Sequence, residues 1–152
     1  MTDLSEAKQE LSRADHLFYV TLKHNRTADI LKQVIDKLVS AFEKLILYYL
    51  NKLYLQGEIE AVPKTPKEQL DLFVDLLEKK NVPFNVREFA QFYLMLRKLK
   101  RSQYYGKNEY RRAIKIVFKL PSGEEIEYDT KTIKDILEKA KQYFNILEQI
   151  VK

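Results

Sequence analysis

The chain contains no cysteine, which excludes disulfides and thiolate metal sites and makes a cytoplasmic location the simplest expectation. Glycine is scarce, three in 152 residues, and no glycine-rich loop is available to cradle a phosphate. The two histidines are His16 and His24; eight residues apart on one helix, they would lie about 12 Å apart. That separation is too great for one metal ion, so neither a metal site nor a cofactor is expected. The longest apolar run, Leu45 to Leu50, falls far short of the ~20 residues a membrane-spanning helix needs. Met1 to Glu10 are polar and mixed in charge, unlike a signal peptide. No membrane association is expected. A nucleophile elbow and a metalloprotease helix motif are also missing, and the chain leans away from being an enzyme.

What is present is charge, tyrosine and helical periodicity. A length of 152 residues suits one domain, residues 1–152, large enough to bury roughly two-thirds of its unfolded surface. Charged residues make up 32% of the chain and are mostly Lys and Glu, a bias common in proteins of thermophiles. The net charge is +5, and it is local. Between Arg97 and Arg112 stand Arg97, Lys98, Lys100, Arg101, Lys107, Arg111 and Arg112 against a single acid, Glu109. The remainder is close to neutral, the distribution expected of an anion-binding surface.

Apolar residues recur at three and four over about 3–24, with Leu4, Ala7, Leu11, Ala14, Leu17, Phe18 and Thr21 as the stripe, which predicts a helix. Thr27 is placed to cap a second, long helix over about 28–56. Its second half, LILYYLNKLYL, is apolar almost all round, so it must be covered on several sides, by a bundle or by a partner subunit. Thr65-Pro66-Lys67-Glu68 reads as a capping box opening a helix over about 66–80, and Asn85 with Glu88 opens another over about 86–102. The period then changes to two. Ile114 to Leu120 and Glu125 to Tyr128 flank Pro121-Ser122-Gly123, which predicts a β-hairpin over about 112–128. Asp129 or Thr130 caps a last helix over about 130–151. The expected class is mainly α (α+β): an antiparallel bundle of four helices, a hairpin and a C-terminal helix.

Three candidate sites emerge. The first is nucleic-acid-binding: Arg97, Lys98, Arg101, Lys107, Arg111 and Arg112 can neutralise phosphates, and Tyr104 and Tyr105, interleaved with them, offer rings to unpaired bases. On a helical wheel Arg97, Arg101 and Tyr104 share one flank. The second is a possible anion site at His24 and Arg26, beside a helix start whose amides attract anions. The third is a weak catalytic candidate, Arg13 and His16, three apart and able to act as phosphate holder and base in metal-independent RNA cleavage. Asp71 with Asp75, and Glu58 with Glu60, are explained by solvated surfaces.

The segments SRADHLFYVTLKHNRTADILKQVIDKL and LMLRKLKRSQYYGKNEYRRAIKIVF resemble a family of uncharacterised archaeal helical proteins. A bundle with a long second helix is also loosely similar to the HEPN superfamily, many of whose members act on or bind RNA. HEPN ribonucleases carry Arg followed, after four to six residues, by His. Here Leu11, Glu10 and Gln9 precede His16 at those spacings, Tyr19, Phe18 and Leu17 precede His24, and Gly106, Lys107 and Asn108 follow Arg101. The resemblance therefore implies a member inactive as a HEPN nuclease. The leading expectation is a non-enzymatic protein that contacts RNA or another nucleic acid through Arg97–Arg112 and forms a homodimer. The alternative is a scaffold homodimer acting through Leu47, Tyr48 and Leu55, and the third reading is the ribonuclease.

Overall fold

The computed structural model describes residues 4–152. The first helix, α1 (Leu4–His16), runs through a π-helical turn, Leu17–Thr21, into the short α2 (Leu22–His24). The periodicity expected over 3–24 is therefore helical but not uniformly α, and its first position lies outside the described residues. α3 (Ala28–Leu55) follows, then α4 (Pro66–Lys79), α5 (Val86–Arg101), strands β1 (Gln103–Lys107), β2 (Lys115–Lys119) and β3 (Glu125–Asp129), and α6 (Thr130–Val151). The described chain is 68% helical.

The helix starts are set by short polar side chains that accept from otherwise unpaired amides. Thr27 accepts from Ile30 N, Thr65 from Glu68 N, Asn85 from Glu88 N and Asp129 from Thr132 N. Each lies at or beside the expected cap. α3 is the centre of the bundle: α1, α4, α5 and α6 all pack on it, as do β1 and β2. Phe42, Phe89, Tyr93, Phe144 and Phe73 interlock around it, with Phe42 ring centroids 5.1 Å from Phe89 and 6.0 Å from Tyr93. The all-round apolar character of LILYYLNKLYL is thus largely met within the chain. Leu45, Ile46, Tyr49, Leu50 and Leu53 are buried.

Two expectations need correction. The C-terminal helix is not appended to a four-helix bundle; α6 packs on α3 and α1 and makes a fifth long helix of the same core. The hairpin is two strands of a three-stranded antiparallel sheet in the order β1-β2-β3. β2 and β3 pair as expected, Lys119 opposite Glu125 and Lys115 opposite Asp129. β1 pairs on the other side of β2, Tyr104 opposite Phe118 and Lys107 opposite Lys115. α5 stops at Arg101, where Ser102 is extended and donates its hydroxyl to Lys98 O at 2.7 Å. Tyr104 consequently stands on a strand and shares no helical flank with Arg97 and Arg101.

The segment after β1 locks the sheet to the start of α3. The Asn108 and Tyr110 backbones take positive φ, 56° and 68°, Tyr110 N donates to Arg26 O at 2.7 Å, and Ala28 N donates to Glu109 Oε2 at 3.1 Å. Glu109 folds back over Gly106, where a Cβ would lie 2.7 Å from its Cγ and Cδ. Glycine here makes room for a helix-capping carboxylate. Gly106→Ala is expected to displace that side chain and cost ~1 kcal/mol, the usual worth of a cap, and Glu109→Ala to cost about the same. In urea melts the double variant should be no less stable than Glu109→Ala alone, because the clash has lost its partner.

Candidate nucleic-acid interface

Sequence places Arg97, Arg101 and Tyr104 on one helix flank; the structure distributes the basic segment over α5, β1 and the loop to β2. Its members fall into two groups, those bound to acids of this chain and those that are not. Arg97 Nη1 lies 2.9 Å from Glu43 Oε1 and 3.3 Å from the Tyr93 hydroxyl, with its guanidinium 5.7 Å from the Tyr93 ring centre. The Arg97 side chain is only 18% exposed. It anchors α5 to α3, its charge met by Glu43 and its side chain largely withdrawn from solvent. Burial, with a contribution from Glu43, pushes the Tyr93 hydroxyl up to about 12, so the Tyr93 ring stays neutral beside its guanidinium. Lys107 Nζ reaches Glu127 Oε1 at 2.8 Å, and Lys115 reaches the other oxygen at 3.3 Å. That pairing holds the Glu127 carboxyl below its ordinary range.

The tyrosines divide in the same way. Tyr104 is on the inner face of the sheet, half-buried, its ring 6.5 Å from Phe118. Its hydroxyl donates to Asp29 Oδ1 at 2.6 Å, and the Lys32 ammonium sits 5.4 Å from its ring centre. The bond to Asp29, then burial, raises its hydroxyl to about 12. Half-buried against Phe118 with its hydroxyl held by Asp29, Tyr104 is turned away from the outer face where a base would stack. Tyr105 is on the outer face; its hydroxyl donates to Glu125, and Lys119 lies 5.7 Å from its ring centre. Tyr110, 78% exposed, has no ring contact.

Lys98, Arg101, Arg111 and Arg112 are exposed, and among the described residues none forms an ion pair. Lys98 and Arg101 end α5, and Arg111 and Arg112 stand beyond the far end of β1, about 13 Å of strand away. An open groove of ≈ 510 Å³ lies beside Arg101, lined by Gln103, Lys119, Pro121 and Glu125 among others. Lys119, which the reading of the sequence did not single out, belongs to this surface, as does Tyr110, interleaved with the basic residues in the sequence. The signal for Lys119 was its strand alternation with Phe118 and Leu120.

The anion site expected at His24 and Arg26 is not open. Two of the α3 amides it would use, those of Ala28 and Ile30, already donate to Glu109 and Thr27, and the protein's own carboxylate sits where an anion would. Arg13 and His16, by contrast, do line one groove, between α1 and α3, with Ser12, Leu17, Gln33 and Lys37. His16 Nδ1 is 3.5 Å from Thr21 Oγ1. Arg13 Nη1 and Lys37 Nζ each stand 3.4 Å from Glu10 Oε2. No group of three His, Cys, Asp or Glu able to hold a metal occurs among the described residues, and none of their helices is long and apolar enough to cross a membrane.

Burial pushes the Glu10 carboxyl up, but Lys37 and then Arg13 outweigh it and leave the group below its ordinary 4.5. A lowered folded value means that the unfolded chain binds the proton more readily. The stabilisation is therefore complete above 4.5 and drains away as pH falls through the folded value. Thermal melts from pH 7 to 3 should show a falling acid limb, and in Glu10→Gln that limb should be shallower.

Comparison with protein-family models, curated proteins and solved structures finds no match for the chain, so any function must be read from the surface itself.

Proposed function

We propose that the protein binds single-stranded RNA along the β1 side of the sheet, with no chemistry performed on it. The observation that carries this reading is the sorting of the basic segment. Its internal pairs consume Arg97 and Lys107, while Lys98, Arg101, Arg111 and Arg112 remain exposed and without acidic partners. Unpaired cations at both ends of one strand can each neutralise a backbone phosphate. Tyr110 at one end and the outer-face Tyr105 between them present rings on which unpaired bases can stack, a mode open to single strands and closed to a duplex.

A second reading, a scaffold homodimer, draws on the C-terminal end of α3. Leu47 and Tyr48 are half-buried, while Tyr54 and Leu55 are 49% and 64% exposed. A dimer seen by light scattering that Leu55→Glu dissolves would favour it. The ribonuclease reading keeps Arg13 and His16 in one groove but leaves Arg13 drawn to Glu10.

Anisotropy titration of labelled single-stranded RNA and of duplex DNA, across a salt series, tests the proposal. Arg101→Glu with Arg112→Glu should weaken RNA binding at least about tenfold and flatten its salt dependence. Tyr110→Ala should weaken binding by a smaller factor, while Tyr104→Phe should lower stability and leave affinity unchanged. RNA binding indifferent to the double charge reversal would sink the proposal. Arg97→Glu is not a fair probe, since it would set two carboxylates against each other at Glu43.

A further inference from the structure

The groove between α1 and α3 stands apart from the β1 surface, and its chemistry is different. Its volume is ≈ 460 Å³ and its lining is chiefly apolar, Leu17 and the aliphatic stems of Arg13 and Lys37 forming the walls. Small-molecule sites commonly combine such walls with a few converging polar groups. Here the polar groups are cations in excess. Arg13 and Lys37 share one carboxylate, Glu10, which is 8% exposed. Both contacts are 3.4 Å, and no hydrogen bond of ordinary geometry reaches Glu10 Oε2. Their charged heads remain in solvent at the groove, the side chains 58% and 36% exposed. One buried negative charge therefore faces two positive ones, with His16 beside them. The π-helical turn begins at Leu17, where the groove's apolar wall starts. Such turns are rare and cluster at functional sites. This one brings Thr21 to His16, five residues away, and leaves His16 Nε2 without a partner among the described residues.

We infer that this groove binds a small amphiphilic anion, its headgroup held by Arg13 and Lys37 and its alkyl or aryl body laid against Leu17. The headgroup is a carboxylate or a phosphate monoester, both of which match two converging cations. Occupancy completes the charge balance that Glu10 begins, and Ser12 and Gln33 at the rim can donate to the remaining headgroup oxygens.

The test is a titration of the full chain with octanoate and with octyl phosphate, read by amide chemical shifts, with 1-octanol as the uncharged control. The expected result is saturable shifts confined to Ser12–Thr21 and Gln33–Lys37 for at least one of the two anions, with none for octanol. The tighter of the two identifies the headgroup class. Arg13→Gln and Lys37→Gln should each weaken binding about tenfold, and each leaves Glu10 one cation. Gln33→Glu, an exposed change that sets a carboxylate four residues before Lys37, should weaken it as well by drawing off that cation and repelling the headgroup. Three results would overturn the inference. They are no saturable shift from either anion up to about 10 mM, binding that octanol shares or that all three variants retain, and displacement of the bound anion by single-stranded RNA, which would make the groove part of a nucleic-acid surface.

Discussion

The constraint on which everything else rests is the length of α3 and the breadth of its apolar face. Fourteen of its 28 residues are buried, from Ala28 to Leu53, and at the helical period they span a little over half of its circumference. Left in water, each large side chain would forfeit on the order of 1.5–3 kcal/mol, so this face must be covered. A single partner helix covers one stripe. Covering a face this wide takes α1, α4, α5 and α6 together with the sheet, and the chain supplies all of them. The aromatic cluster of Phe42, Phe73, Phe89, Tyr93 and Phe144 shows how tightly they close, with ring centroids 5–6.5 Å apart.

Enclosing α3 also dictates where charge ends up. The α5 residue nearest α3 on its polar flank is Arg97, and it meets Glu43 of α3. The α3 start needs acceptors, and the one acid in the basic segment, Glu109, provides one. The outer face of the sheet pairs Lys107 and Lys115 with Glu127. A segment that reads as uniformly basic is thereby divided into structural cations, whose charge the fold neutralises, and surface cations, whose charge it leaves. The same sorting explains the tyrosines. Tyr104 alternates inward on β1 and is spent on Asp29 and Phe118, whereas Tyr110, on a left-handed backbone at the loop, stays in solvent.

The helices and their starts were legible in the sequence because their causes are local. Thr27, Thr65, Asn85 and Asp129 each accept from the amide three residues on, and the apolar stripes of α4, α5 and α6 repeat at the helical period. β2 and β3 were legible from alternation around a Gly123 turn. β1 was not. Five residues, QYYGK, hold one glycine and follow a long helical pattern without a break stronger than Ser102, and a strand that short takes its identity from pairing with β2. The π turn was equally hidden, since its apolar spacing is compatible with an α-helix. The Arg13–His16 pair could be seen from spacing alone, but Lys37 and Glu10, which give that groove its charge, could not both be assigned to it.

What the sequence by itself determined is the set of elements governed by short-range forces, together with the location of the charge excess and the need for α3 to be covered. What only the tertiary structure decided is which side chains face one another across elements. Arg97 with Glu43, Tyr104 with Asp29, Glu109 with the α3 amide and Lys37 with Glu10 lie 54, 75, 81 and 27 residues apart in the chain. Electrostatic pairing acts over a few ångströms of space and carries no signature in sequence spacing, so the fold alone separates the cations that hold the protein together from those left for a ligand.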